Sequence, residues 1–193
     1  MNNMNFRRVF RDLPQIETDR LTLKKISVSD AEDLYSYASL NSVTRFLLWS
    51  PHLNIEDTRG YIEFLNRQYK KGNYADWGVF LKSEGRLIGT TGFADFDFEN
   101  NSGEVGYVLN PAYQGNGYMS EAVSAVLSVA FDRIGLERVV LRIMEENKPS
   151  MRLASRLGFD FIKVGEEPLN VKGEDRIIHY YSLTKEKWKN LAV

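Results

Sequence analysis

Glu104-Val-Gly-Tyr-Val-Leu-Asn-Pro-Ala-Tyr-Gln-Gly-Asn-Gly-Tyr-Met-Ser-Glu121 changes character twice. It opens as an apolar strand pattern that stops at Asn110-Pro111, because proline cannot continue a strand ladder. A short loop carrying Gln114-Gly-Asn-Gly117 follows. A long amphipathic helix then starts immediately, with Ala122, Val126, Ala130 and Ile134 on one stripe and Gly135 as its stop. Two glycines let the backbone approach a ligand closely and adopt positive φ. The first N–H groups of a helix have no internal partner, and its dipole is positive at that end. Strand, glycine turn and helix start together predict a site for an anionic group such as pyrophosphate. The same pattern also describes a glycine turn that enters a helix and binds nothing.

Two common phosphate motifs do not fit. A Walker loop needs Lys-Ser/Thr after its second glycine, and Tyr118-Met119 stands there. A dinucleotide fingerprint needs a third glycine where Ser120 stands and an acidic residue ending the next strand, whereas Glu137 precedes that strand.

Upstream, Arg20-Leu-Thr-Leu-Lys-Lys-Ile26 alternates as a strand, and Ser29-Asp-Ala-Glu32 reads as a capping box opening a helix. Asn54 starts a second helix, with Ile62, Leu65 and Tyr69 at helical spacing and Gly72 as its end. Tyr74 to Lys82 and Arg86 to Phe93 flank Ser83-Glu-Gly85 as a hairpin. Downstream, Arg138 to Met144 reads as a strand, Pro149 to Leu157 as a short helix ended by Gly158, and 159–164 and 176–183 as closing strands. Hairpins in front and alternation behind imply an α/β domain with a mixed sheet and helices on both faces. Residues 1–14 read as an N-terminal extension and 15–190 as one domain.

Composition narrows the partners. The chain has 193 residues with 43% hydrophobic and 26% charged, which is globular, and 25 Lys plus Arg against 26 Asp plus Glu give a net charge of -1. That balance argues against a protein built to bind nucleic acid. There is no cysteine, so disulfides, thiolate metal sites and thiol nucleophiles are excluded. The two histidines, His52 and His179, lie far apart, so no histidine-rich metal centre is expected, while a carboxylate site stays open. The first dozen residues lack the apolar core of a secretory signal, and the apolar stretch near 126–131 is far too short to span a membrane. A cytoplasmic protein without a membrane partner is expected. The oligomeric state is open, and a homodimer is compatible with all of this.

The Gln114-Gly-Asn-Gly-Tyr-Met119 run resembles the acetyl-coenzyme A loop of the GNAT N-acetyltransferases, Gln/Arg-x-x-Gly-x-Gly/Ala. Gln114 and Gly117 match, and Met119 replaces the usual small residue. Thr18-Asp-Arg-Leu-Thr-Leu23 resembles the opening strand of the Rim-type branch, the ribosomal-protein-alanine N-acetyltransferases, and Asn147-Lys-Pro-Ser150 with Leu157-Gly-Phe159 resembles that branch's second cofactor segment. The resemblance implies the GNAT fold, a mostly antiparallel sheet of about seven strands with a splayed central pair at Glu104 to Leu109 and Arg138. It implies acetyl-CoA as cosubstrate and no metal. The pantetheine arm would pair near Tyr107, Val108 and Leu109. The pyrophosphate would meet the N–H groups of Gly115, Asn116, Gly117, Tyr118, Met119 and Ser120 beside Gln114. Asn147 would bond the pantetheine arm, cap a helix, or do both.

The implied reaction is direct attack of a neutral amine on the thioester, with a backbone N–H at Val108 or Leu109 stabilising the oxyanion. Many members place a tyrosine on the short helix as donor to the departing sulfur, but Ala154 stands at that place. Ser150 is the candidate donor instead, or a helix cap. Glu104 is the candidate base, or an ordinary charge at a strand start, with a water chain as the alternative. Phe46, Leu48, Trp49, Tyr74 and Trp77 line an acceptor cleft or fill core. His52 and His179 read as loop and packing residues. Asp95, Asp97 and Glu99 read as a solvated turn or as an attractor for a cationic amine, and Arg152 and Arg156 as ribose-phosphate partners or a helix coat. The branch resemblance favours a protein or peptide α-amine as acceptor. A small-molecule amine, or a non-catalytic coenzyme A sensor, are the alternatives.

Overall fold

Alternating burial starts the sheet. The computed structural model describes residues 9–11, 13–73 and 76–191. After β1 (Ile16–Glu17), β2 (Leu21–Lys24) buries Leu21 and Leu23 and turns Lys24 outward. The turn into α1 (Ala31–Ala38) is closed by Asp30, whose carboxylate accepts the Ser27 N–H at 2.8 Å. The helix start therefore lies at Ser27 and Asp30, not at the expected Ser29 and Glu32. A short α2 (Asn41–Thr44) precedes α3 (Ile55–Lys71). Asn54 caps α3 by accepting from Glu56 N and Asp57 N, and Gly72 ends it at φ 69°.

A hairpin of β3 (Trp77–Leu81) and β4 (Arg86–Asp97) leads to β5 (Ser102–Leu109) and then α4 (Tyr118–Ser128). A π-helical turn, Val129–Ile134, extends α4 to Gly135. β6 (Arg138–Met144), α5 (Lys148–Arg156) and β7 (Asp160–Val164) follow. A detached hairpin of β8 (Leu169–Val171) and β9 (Glu174–Arg176) precedes β10 (Ile178–Thr184) and α6 (Lys185–Leu191).

The main sheet runs β1-β2-β3-β4-β5-β6-β10-β7. Among the described residues it has eight strands rather than the about seven expected from the sequence, because two-residue β1 is too short to leave a periodic signal. All neighbours are antiparallel except β5 and β6. Gly89 and Thr90 face opposite ways on β4. A Cβ on Gly89 would meet Met119 of α4, while Thr90 lies at Tyr37 of α1, so helices cover both faces.

The parallel pair is short. Ser102, Gly103 and Glu104 pair with Arg138, Val139 and Val140, and the pairing ends there. β5 remains zipped to β4 as far as Leu109, and β6 to β10 as far as Met144. Each strand holds its outer neighbour while the two part from each other, which is the expected splay.

Packing reaches back before residue 15. Phe10 is fully buried and meets Phe93 edge-on at 5.8 Å, Leu13 is buried, and Trp77 Nε1 donates to Pro14 O at 2.8 Å. The stretch read as an extension thus supplies core side chains from Phe10 onward.

Candidate active site

The loop between β5 and α4 is held from the opposite end of the sequence. Glu121, in the first turn of α4, accepts from Thr18 Oγ1 at 2.6 Å, from Arg20 N at 3.0 Å and from Arg20 Nε at 2.7 Å. Arg20 Nη1 also donates to Asn116 O at 2.9 Å, and its guanidinium stacks 4.7 Å above the Tyr118 ring. Burial raises the Glu121 carboxyl, but these bonds outweigh it and hold the group below the usual carboxylate range. Thr18 and Arg20, which carried the branch resemblance, are therefore a clamp on the loop. Sequence reasoning found the motif but not its partner, because the two lie about a hundred residues apart.

The clamp leaves the loop's donors open. Gly115 and Gly117 adopt φ 83° and 79°, a left-handed conformation that glycine takes without strain. Among the described residues, the N–H groups from Gly115 through Ser120 have no protein acceptor, and Glu121 N is the first to find one, at Gly117 O. The Asn116 side chain folds back onto the Tyr113 and Gln114 carbonyls, and the Met119 side chain is buried. Both residues therefore offer the loop only their backbone N–H. A cavity of about 480 Å³ opens beside these donors, lined also by Gln114 and, on α5, by Arg152 and Arg156. A concentration of open N–H groups and guanidiniums fits the diphosphate of coenzyme A.

Backbone parity sorts the residues of β5. Asn110 N donates to Ile88 O at 2.8 Å, and Gly106 O accepts from Thr91 Oγ1 at 3.1 Å, so even-numbered residues turn their backbone groups toward β4. Alternation turns those of Tyr107 and Leu109 toward the open gap. Val108 instead contributes its side chain to the cavity walls.

α5 points its first turn at the same gap. Asn147 caps it, its Oδ1 accepting the Ser150 N–H at 3.3 Å, and Pro149 in that turn needs no N–H partner. Ser150 Oγ lies 2.5 Å from Tyr107 Oη. Burial pushes the Tyr107 phenol up to about 12, so it keeps its proton at neutral pH. Ala154, where a tyrosine was missing, is fully buried, and the structure offers Tyr107 at Ser150 instead. Their contact was invisible in sequence, since it depends on how far two strands splay.

A second cavity, about 640 Å³, shares Phe46, Leu47, Tyr107, Val108, Asn147 and Ser150 with the first. Leu48, Trp49 and Glu104 also line it, whereas Trp77 is core and Tyr74 lies outside the described residues. Glu104 pairs with Arg142 Nε at 2.6 Å, at the point where β5 and β6 part. Burial raises the Glu104 carboxyl, and Arg142 offsets part of that rise. At the far wall Asp76 accepts the Tyr61 hydroxyl at 2.9 Å. Lys172, between β8 and β9, donates to Thr44 O at 2.7 Å and ties that hairpin to the end of α2.

The remaining candidates lie elsewhere. His52 bonds Thr58 Oγ1 at 2.8 Å, and His179 lies 3.5 Å from Glu145. Neither lines either cavity. Asp97 caps its own turn through Glu99 N and Asn100 N. No helix among the described residues is long and apolar enough to cross a membrane.

Comparison with known proteins agrees with this geometry. The family profile of the acetyltransferase (GNAT) domain matches residues 20–160. The chain is 30% identical over 171 residues to the N-acetyltransferase p20 of Bacillus licheniformis, covering 89% of this chain and 96% of that one. It is 26% identical over 181 residues to the ribosomal protein uS5-alanine N-acetyltransferase of Escherichia coli, covering 90% and 92%. A GNAT-family acetyltransferase crystal structure from Bacillus anthracis superposes with a TM-score of 0.79 at 27% identity, over 90% of this chain and 99% of that one. The chain belongs to the GNAT family of N-acetyltransferases, and acetyl-CoA is its acetyl donor.

Proposed function

We propose that this enzyme acetylates the N-terminal α-amine of a protein or peptide by direct attack of that amine on the thioester. One observation carries the reading: the donor and acceptor cavities share a wall at Tyr107, Val108, Asn147 and Ser150, so two molecules entering from opposite sides meet there. Similarity to a uS5-alanine N-acetyltransferase along 92% of its length supports an α-amine as acceptor.

Each residue has a distinct task in this proposal. The N–H groups from Gly115 to Ser120, with Gln114 beside them, bind the diphosphate. The open edge of Tyr107 and Leu109, with Asn147, aligns the pantetheine arm, and Leu109 N–H points toward the developing oxyanion. Glu104 accepts the proton that the ammonium must lose before its nitrogen can attack. Tyr107 O–H donates to Ser150 Oγ, which frees the Ser150 proton for the departing sulfur.

The test is thiol release with a panel of peptides and small amines, using wild type and Ser150→Ala. The expected result is turnover with free α-amines, and a turnover loss of about 10- to 100-fold in Ser150→Ala. Acetyl-CoA affinity should be unchanged in that variant. Turnover of small amines alone would overturn the acceptor assignment, and an unchanged rate in Ser150→Ala would overturn its role.

A further inference from the structure

We propose that Asp76 is an acceptor-binding residue, and that the acceptor carries a second positive charge on a flexible apolar arm besides the amine that is acetylated. The inference rests on the acetyltransferase reading of the fork. Asp76 lines the larger cavity but lies on its far side. Trp77 pairs with Thr91, and Thr91 with Tyr107, so β3 is two strand spacings, about 10 Å, from β5. The fork opens on the other edge of β5. The Asp76 carboxylate therefore does not reach a nitrogen reacting there, and a cation held by Asp76 belongs to another part of the acceptor.

The cavity wall is open at Gly106, since a Cβ built on it would meet nothing within 4 Å. Phe46, Trp49, Tyr61 and Phe64 line the same cavity and suit both an apolar arm and a passing cation. Among the described residues Asp76 has no counter-charge. Its carboxylate has one side-chain partner among them, the neutral Tyr61 hydroxyl, and burial lifts its carboxyl above the usual range. A half-buried carboxylate without a cation is costly, so a ligand that supplies one gains binding free energy.

A structural role for Asp76 makes a different prediction. Asparagine keeps an oxygen for the Tyr61 hydroxyl and loses only the charge. Calorimetric titrations of wild type and Asp76→Asn, each with and without coenzyme A, separate the two. The probes are hexamethylenediamine against hexylamine, and Ala-Lys amide against Ala-norleucine amide. The expected result is that the charged member of at least one pair binds about tenfold tighter or more, and that Asp76→Asn erases the difference. The responding pair tells a diamine from a basic peptide arm. Equal affinities within both pairs, or a preference that survives Asp76→Asn, would overturn the proposal. Failure of coenzyme A itself to bind would count against the enzyme reading, while the coenzyme-free titrations still decide the role of Asp76.

Discussion

Glu104 sits between two opposed influences, burial and a guanidinium 2.6 Å away. Its carboxyl is raised on balance, and a base works only when deprotonated. Activity should therefore fall as pH drops through a value above the ordinary glutamate range. Arg142→Met removes the influence that lowers it, so the acid limb of kcat/KM should move to higher pH. Glu104→Gln should abolish that limb and lower kcat about 100-fold. A limb that stays in place in Arg142→Met would assign the proton to a water chain instead.

The elements show why a hydrogen bond far from the chemistry matters. α4 begins where Thr18 and Arg20 hold Glu121, and the open N–H groups lie just before it. Glu121→Ala should cost about 1–3 kcal/mol in chemical denaturation and weaken acetyl-CoA binding, because the loop loses its anchor. Unchanged affinity would show that the glycines set the loop alone. The Glu121 carboxyl is depressed in the folded state. Its contribution is thus fully present above the ordinary glutamate value and is lost as pH falls through the lower folded one. The glycine loop and α4 were legible in the sequence because their cues, Pro111, Gly115, Gly117 and Gly135, act within a few residues. The clamp, the Tyr107–Ser150 contact and Asp76 were not, since each joins segments that meet only through sheet order. The β8–β9 hairpin was missed because its strands are mostly exposed and carry no alternation.

The whole molecule is organised around one interrupted strand pair. Outer pairing holds β5 to β4 and β6 to β10, and that frame sets the fork. The frame includes the N-terminal segment through Phe10 and Leu13. Deleting residues 1–14 should therefore lower stability by about 3–5 kcal/mol, read as a shifted denaturant midpoint. An unaffected midpoint would make that segment a separable extension. We propose that acetyl-CoA enters this fork with its diphosphate on the loop before α4. Amide NMR during a coenzyme A titration tests it most directly. The largest shifts should fall on Gly115 through Ser120 and on Tyr107 and Leu109. Saturable binding that leaves those amides unmoved would contradict the account.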